Sequence, residues 1–145
     1  MKKNNINKKY IYIRDLQKCY YCNKPLKLSQ TTLDHYFPKA LGGTDEYFNL
    51  VTCCKRCNKI KGRNIPNDLA FVQLDLLNKA VNHSKIISII QNVNQKNIIN
   101  LTKHINHVVC NYDHSTLRGE DFTLYSKNNK IYMLDGRAID YMEER

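Results

Sequence analysis

At 145 residues, with a formal charge of +10 and a pI near 9.3, the chain is one domain's worth of sequence whose expected partner is a polyanion. A content of 42% hydrophobic and 25% charged residues fits a soluble globular protein. No run of about 18 apolar residues occurs and the start, MKKNNINKKYIYIRDL, is basic without an apolar segment, so neither a membrane span nor a secretory signal is expected.

A cytoplasmic, reducing location follows as the expectation, and there six cysteines read as metal ligands rather than as a disulfide framework. Residues 1–17 are expected to form a basic N-terminal arm, with 1–9 solvated and mobile. Within it, residues 10–16 alternate Tyr and Ile, a pattern open to a short strand or to the first turns of a helix.

Cys19-Tyr20-Tyr21-Cys22, followed by Asn23-Lys24-Pro25, reads as a tight knuckle with both thiolates toward one ion. Cys54-Lys55-Arg56-Cys57 repeats the spacing, and two such pairs predict a tetrahedral four-cysteine site for structural Zn²⁺. Cys53 competes for the third place, but Cys54 restores the matching spacing and strand neighbours face opposite ways. Between the pairs, residues 31–37 read as a strand, 38–47 as a loop turning at Gly42-Gly43, and 49–53 as a second strand. A helix follows from about Lys55 and stops near Gly62. The zinc would tie the open ends of this ββα unit.

After Pro66, Leu69, Val72, Leu76, Leu77, Ala80 and Val81 recur at helical intervals, with Asn67 or Asp68 as cap. A second helix is expected from Ser84 with Ile86, Ile87, Ile89, Ile90 and Val93, and a third with Ile98, Leu101, Ile105, Val108 and Tyr112. Residues 122–125 and 130–134 flank Asn128-Asn129 as a hairpin, and 137–144 forms a last short helix. The expected class is α+β: a core over 18–65, then a helical and hairpin extension over 66–145 packed into the same domain.

Phosphodiester hydrolysis needs a base for water, a cation for the charge on phosphate and leaving oxygen, and positive groups for the backbone. His35, with an ordinary imidazole pKa of about 6.5, is the candidate base. Asp34 and Asn58 are candidate oxygen ligands, a pair that favours Mg²⁺ or Mn²⁺ over softer ions. Asn49 is placed to orient either the imidazole or the loop that carries it. Lys55, Arg56, Lys59, Lys61 and Arg63 crowd the second knuckle and read as phosphate contacts. His104, His107 and Cys110 would nearly align on a helix, yet three ligands on an amphipathic stripe read as packing rather than as a second metal site. His83 and His114 are expected near helix ends.

Taken together, Cys19-x-x-Cys22, Asp34-His35, Pro38, Gly42-Gly43, Asn49-Leu50, Cys54-x-x-Cys57-Asn58 and Lys61-Gly62 resemble the HNH endonucleases, the ββα-metal nuclease family. The resemblance covers about a third of the chain. It implies His35 as general base, Asn49 as the middle letter of the name, Asp34 and Asn58 on one catalytic divalent ion, and DNA as substrate. Asn58 stands where many members have His, an HNN variant. The rival reading is a non-catalytic zinc-containing DNA-binding or adaptor protein of a viral or mobile-element DNA-handling assembly. What separates the two is the set Asp34, His35, Asn49 and Asn58, which a mere binder has no physical need to keep. A homodimer would make a double-strand cut easier.

Overall fold

The computed structural model describes residues 6–143, so the first five positions of the basic arm and the last two of the chain lie outside the described residues. The alternating Tyr-Ile stretch is helical: α1 (Lys8–Arg14) starts at Asn7, whose side chain accepts from the Tyr10 amide, and it buries Ile11. Its end is clamped by charge. Arg14 and Asp15 form an ion pair with both side chains 2% exposed. Arg14 also donates to the carbonyls of Tyr47 and Leu50, while Asp15 accepts from the Thr52 amide.

Strands β1 (Thr32–His35) and β2 (Leu50–Cys53) pair antiparallel, Asp34 opposite Val51 and His35 opposite Leu50. Helix α2 (Lys55–Lys61) follows, its first turn capped by the Cys54 sulfur, which accepts from the Cys57 amide. The predicted ββα order is therefore present. Helix α3 (Leu69–Asn82) buries Val72, Leu76, Leu77, Ala80 and Val81, the stripe read from the sequence. Asp68 stands at its N-cap position, but the carboxylate takes the Tyr36 hydroxyl instead of capping the helix.

The remainder of the extension departs from the helical expectation. Ser84 adopts a left-handed conformation (φ 56°) instead of capping a helix, and the isoleucine-rich stretch yields the short strand β3 (Ile87–Ser88). The third predicted helix ends early: α4 (Gln95–Thr102) gives way to β4 (Ile105–Asn111). Then come β5 (His114–Gly119), β6 (Phe122–Lys127), β7 (Lys130–Gly136) and α5 (Ile139–Met142). His114 thus begins a strand, not a helix end, whereas His83 does cap α3.

These strands make one sheet in the order β3-β7-β6-β5-β4, antiparallel except for the parallel β3–β7 pair. The β6–β7 turn is the predicted one. Asn128 and Asn129 both hold positive φ (51° and 64°), as a two-residue turn matched to strand twist requires. One apolar cluster runs through Ile11, Phe48 and Leu50 of the N-terminal half, Leu76 and Leu77 of α3, and Leu117, Leu124 and Ile131 of the large sheet. The class is α+β, with C-terminal strands where helices were expected.

Candidate active site

Two knuckles close on one point. The sulfurs of Cys19, Cys22, Cys54 and Cys57 lie within 4.8 Å of one another, and those of Cys22 and Cys54 are 3.9 Å apart. Tetrahedral Zn–S bonds of about 2.3 Å imply sulfur separations of roughly 3.8 Å, so the donor set fits Zn²⁺. Burial works to raise the Cys19 thiol, but hydrogen bonds from backbone amides of Cys54, Cys22 and Tyr21 outweigh it and bring its pKa down to about 6. Cys57 goes the other way. Burial and hydrogen bonding to the neighbouring sulfurs push it up to about 12, so its thiolate needs a cation among the four sulfurs. Cys53 is excluded from the cluster: it is buried, and its thiol donates to the Cys54 carbonyl at 3.2 Å.

On the other side of β1, α2 lies across the strand. Thr32 and Asp34, two residues apart, share one face of it. Asn58 and Lys61, three apart, share one face of the helix. The two faces meet: the Asn58 amide donates to Thr32 Oγ1 at 3.4 Å, and Lys61 Nζ lies 3.2 Å from Asp34 Oδ2 and donates to the His35 carbonyl at 2.9 Å. Asp34 also accepts from the Tyr21 hydroxyl on the same Oδ2, at 2.5 Å. Burial, with this bond to a carboxylate, drives the Tyr21 phenol pKa far up, so it remains a donor. Asp34 Oδ1 and the Asn58 carbonyl oxygen are left as hard donors on one strand–helix face, a chemistry that fits a divalent cation of the Mg²⁺ class.

His35 ends β1 on the alternate face. Its Nε2 is 2.6 Å from Asp45 Oδ1, with the two side chains 23% and 27% exposed. A carboxylate only accepts, so Nε2 carries the proton and Nδ1 is the basic nitrogen. Asp45 was not singled out from the sequence; an acid directly after the Gly-Gly-Thr turn was the available signal.

Asn49 does not touch the imidazole. Fully buried, it accepts from the Phe37 amide (2.8 Å) and Gln73 Nε2 (3.0 Å), and it donates to the carbonyls of Phe37 and Thr44 (both 3.1 Å). It therefore pins both ends of the loop that leads from His35 to Asp45. Gly43 lets that loop close, since a Cβ there would lie 1.8 Å from the Phe37 carbonyl oxygen. The large sheet braces the loop from outside. Tyr112 donates its amide to the Gly42 carbonyl at 2.8 Å, and buried Glu46 accepts from the hydroxyls of Ser115 and Ser126. Between loop and sheet lies a polar cleft of about 240 Å³ lined by Thr44, Asp45, Glu46, Tyr112, Asp113, Lys127 and Asn128.

Of the five basic residues read as phosphate contacts, Lys55, Arg56, Lys59 and Arg63 are exposed. Lys61 turns inward, its side chain 8% exposed against Asp34. His104, His107 and Cys110 are brought together by no helix: His104 packs on Tyr141, His107 is exposed on β4, and the Cys110 sulfur meets Thr44 Oγ1 at 3.5 Å. Among the described residues the four-cysteine set is the group of three or more His, Cys, Asp or Glu side chains whose donor atoms converge closely enough to hold a metal ion. Likewise, among them no helix is long and apolar enough to cross a membrane.

Comparison with known proteins meets this geometry on the same stretch. Residues 19–72 match the family model described as HNH endonuclease. Over 45 residues, 30% of the chain, the sequence is 44% identical to a CRISPR-associated endonuclease Cas9 of Corynebacterium diphtheriae, and the chain spans 4% of that protein's length. The matched segment holds both knuckles, β1, β2 and α2, and over it the chain is similar to HNH endonucleases.

Proposed function

We propose that the chain is a metal-dependent DNA endonuclease that hydrolyses phosphodiester bonds with His35 as general base. The observation that carries this reading is the packing of α2 on β1, where Lys61 pairs with Asp34 and the Asn58 amide donates to Thr32, two residues before Asp34 on the same strand face, while Asp45 holds Nε2 of the neighbouring His35. Asp45 fixes the ring and its tautomer, so that Nδ1 takes the proton from the attacking water and the carboxylate stabilises the imidazolium formed. Asp34 Oδ1 and the Asn58 carbonyl would hold a Mg²⁺ or Mn²⁺ ion, which when bound supplies charge neutralisation at the phosphate and at the leaving oxygen. Asn49 acts on the loop and not on the ring: it keeps Asp45 within reach of His35. Lys55, Arg56, Lys59 and Arg63 bind the DNA backbone from exposed positions on and after α2. Residues 66–145 pack with the core as one domain and add the sheet that braces the catalytic loop.

The rival reading, a zinc-containing DNA binder without catalysis, draws on the Lys61–Asp34 ion pair, which neutralises the carboxylate with no divalent ion. A plasmid-nicking assay with Mg²⁺ or Mn²⁺ separates the two. Wild type should convert supercoiled to nicked or linear plasmid, and His35→Ala should bind DNA with unchanged affinity yet cut at least a hundredfold more slowly, within the usual range for a lost general base. DNA binding by both proteins with cutting by neither, under either ion, would hand the case to the rival.

A further inference from the structure

Tyr21 sits between two of the thiols that form the zinc site, yet its hydroxyl leaves the knuckle and reaches the carboxylate proposed to hold the other metal. The ring cannot wander. It stacks on Tyr36 with centroids 5.7 Å apart and planes 4° from parallel, and Tyr20 meets it edge-on at 6.2 Å. Tyr36 is itself tied to Asp68 through its hydroxyl. Both donors on Asp34, the Tyr21 hydroxyl and Lys61 Nζ, fall on Oδ2. Those donors come from the two halves of the thiol set: Tyr21 from the first Cys-x-x-Cys, Lys61 from the helix that opens at the second.

We infer that Tyr21 is a positioning residue for the nuclease site: by taking Oδ2 it turns Asp34 so that Oδ1 alone faces a divalent cation, and it thereby couples the zinc knuckle to the second metal. The inference rests on the reading of Asp34 as a metal ligand. Its physical basis is that an unrestrained carboxylate rotates about its Cβ–Cγ bond and loses ligand geometry, whereas one oxygen fixed by a rigid phenol presents the other in a single direction. Partners of a ligand that act in this way typically carry 10–100-fold of metal affinity.

The test uses Tyr21→Phe in the full zinc-loaded chain, because phenylalanine keeps the ring stacked on Tyr36 and removes only the hydroxyl. Mn²⁺ binding is followed by electron paramagnetic resonance of the free ion, with zinc content and thermal melting measured on the same samples. Tyr20→Phe serves as the matched control in the same knuckle, and Asp34→Asn defines the site. The expected result is full zinc content in all four proteins, with Mn²⁺ affinity unchanged in Tyr20→Phe, about tenfold weaker in Tyr21→Phe and abolished in Asp34→Asn. Wild-type Mn²⁺ affinity in a zinc-loaded Tyr21→Phe, with Asp34→Asn still dead, overturns the positioning role alone. Equal Mn²⁺ binding by wild type and Asp34→Asn overturns the metal-ligand reading and the inference with it. Should Tyr21→Phe fail to hold zinc, the wild type decides: paramagnetic Mn²⁺ must broaden the Tyr21 ring resonances, and sharp ring signals at saturating Mn²⁺ overturn the assignment.

Discussion

Asn49→Ala is the perturbation that most directly asks what the middle residue of the motif does. The amide is fully buried and makes four hydrogen bonds, to the Phe37 amide, the Phe37 and Thr44 carbonyls and Gln73. Alanine orphans two buried donors at about 1–3 kcal/mol each, while the two carbonyls, each with a second lone pair, lose less. We therefore expect destabilisation of about 4 kcal/mol, a large part of the whole stability of a typical domain. For a chain of this length the unfolding entropy at the midpoint is about 0.3 kcal/mol/K, so the melting temperature should fall by roughly 13 °C. Urea unfolding of the zinc-loaded protein gives the free energy, and single-turnover nicking, run well below the lowered midpoint, gives the rate. Nicking should still be impaired there, because the freed loop no longer holds Asp45 against His35. A loss under about 1 kcal/mol with nicking abolished would refute the loop-clamp argument and point to a direct action of the amide on the imidazole or the substrate.

Other perturbations test other contacts. Asp45→Asn keeps an acceptor for His35 but removes its charge; since both side chains are about a quarter exposed, a low-end charge-assisted value of about 1.5 kcal/mol applies, and single-turnover nicking should slow about tenfold with the melting temperature lowered by no more than about 5 °C. An unaltered rate would remove Asp45 from the mechanism. Cys57→Ala leaves three thiols, and because zinc binding energy is folding energy the variant should lose bound zinc and its cooperative melt together, as should wild type under a strong chelator; a zinc-free chain with the wild-type melt would contradict this. Glu46→Gln probes the buried carboxyl between Ser115 and Ser126. Burial raises its pKa above the ordinary 4.5 more than the hydroxyls lower it, so the folded state holds the proton more tightly than the unfolded one. Its stabilising contribution is full below 4.5 and is lost as pH rises through the folded value, and the melting temperature of Glu46→Gln should therefore gain on wild type as pH rises above about 4.5. A gap independent of pH would mean that Glu46 does not titrate in that range.

What could be read from the chain, and what could not, divides along physical lines. The ββα unit was legible because its residues are fixed by chemistry, with thiol spacing and a Gly-Gly turn standing independently of hydrophobic periodicity. The stripe of α3 was legible because 14 residues give the helical period room to repeat. Strand β4 misled for an identifiable reason. Its register shifts between Ile105 and His107, and the irregularity leaves Ile105 and Val108 buried three apart, the spacing of a helix. Residues 86–93 misled differently: Ser84 ahead of a stripe of isoleucines reads as a capped helix, although their stiffness at χ1 favours a strand, and only Ile86 and Val93 are buried there. The partners of Asn49 and Glu46 were invisible because they come from far along the chain: Gln73 reaches Asn49 from α3, and Ser115 and Ser126 reach Glu46 from the large sheet.

Lys61 shows why motif residues cannot be sorted by charge alone. On one short helix Lys55 and Lys59 face solvent, while Lys61, on the face it shares with Asn58, is driven against β1. A buried ammonium is tolerable only with a counter-charge and further acceptors, which Asp34 Oδ2 and the His35 carbonyl supply. The same carboxylate is thus a structural counter-ion through one oxygen and a prospective metal ligand through the other. An alanine at Asp34 would strip both roles at once, leaving an unpaired buried cation that costs about 3–5 kcal/mol and obscures any effect on metal. Asparagine also gives up the counter-charge to Lys61 but keeps an acceptor oxygen for Lys61 and Tyr21, so it should cost less stability than alanine while still removing the anion that a divalent cation requires.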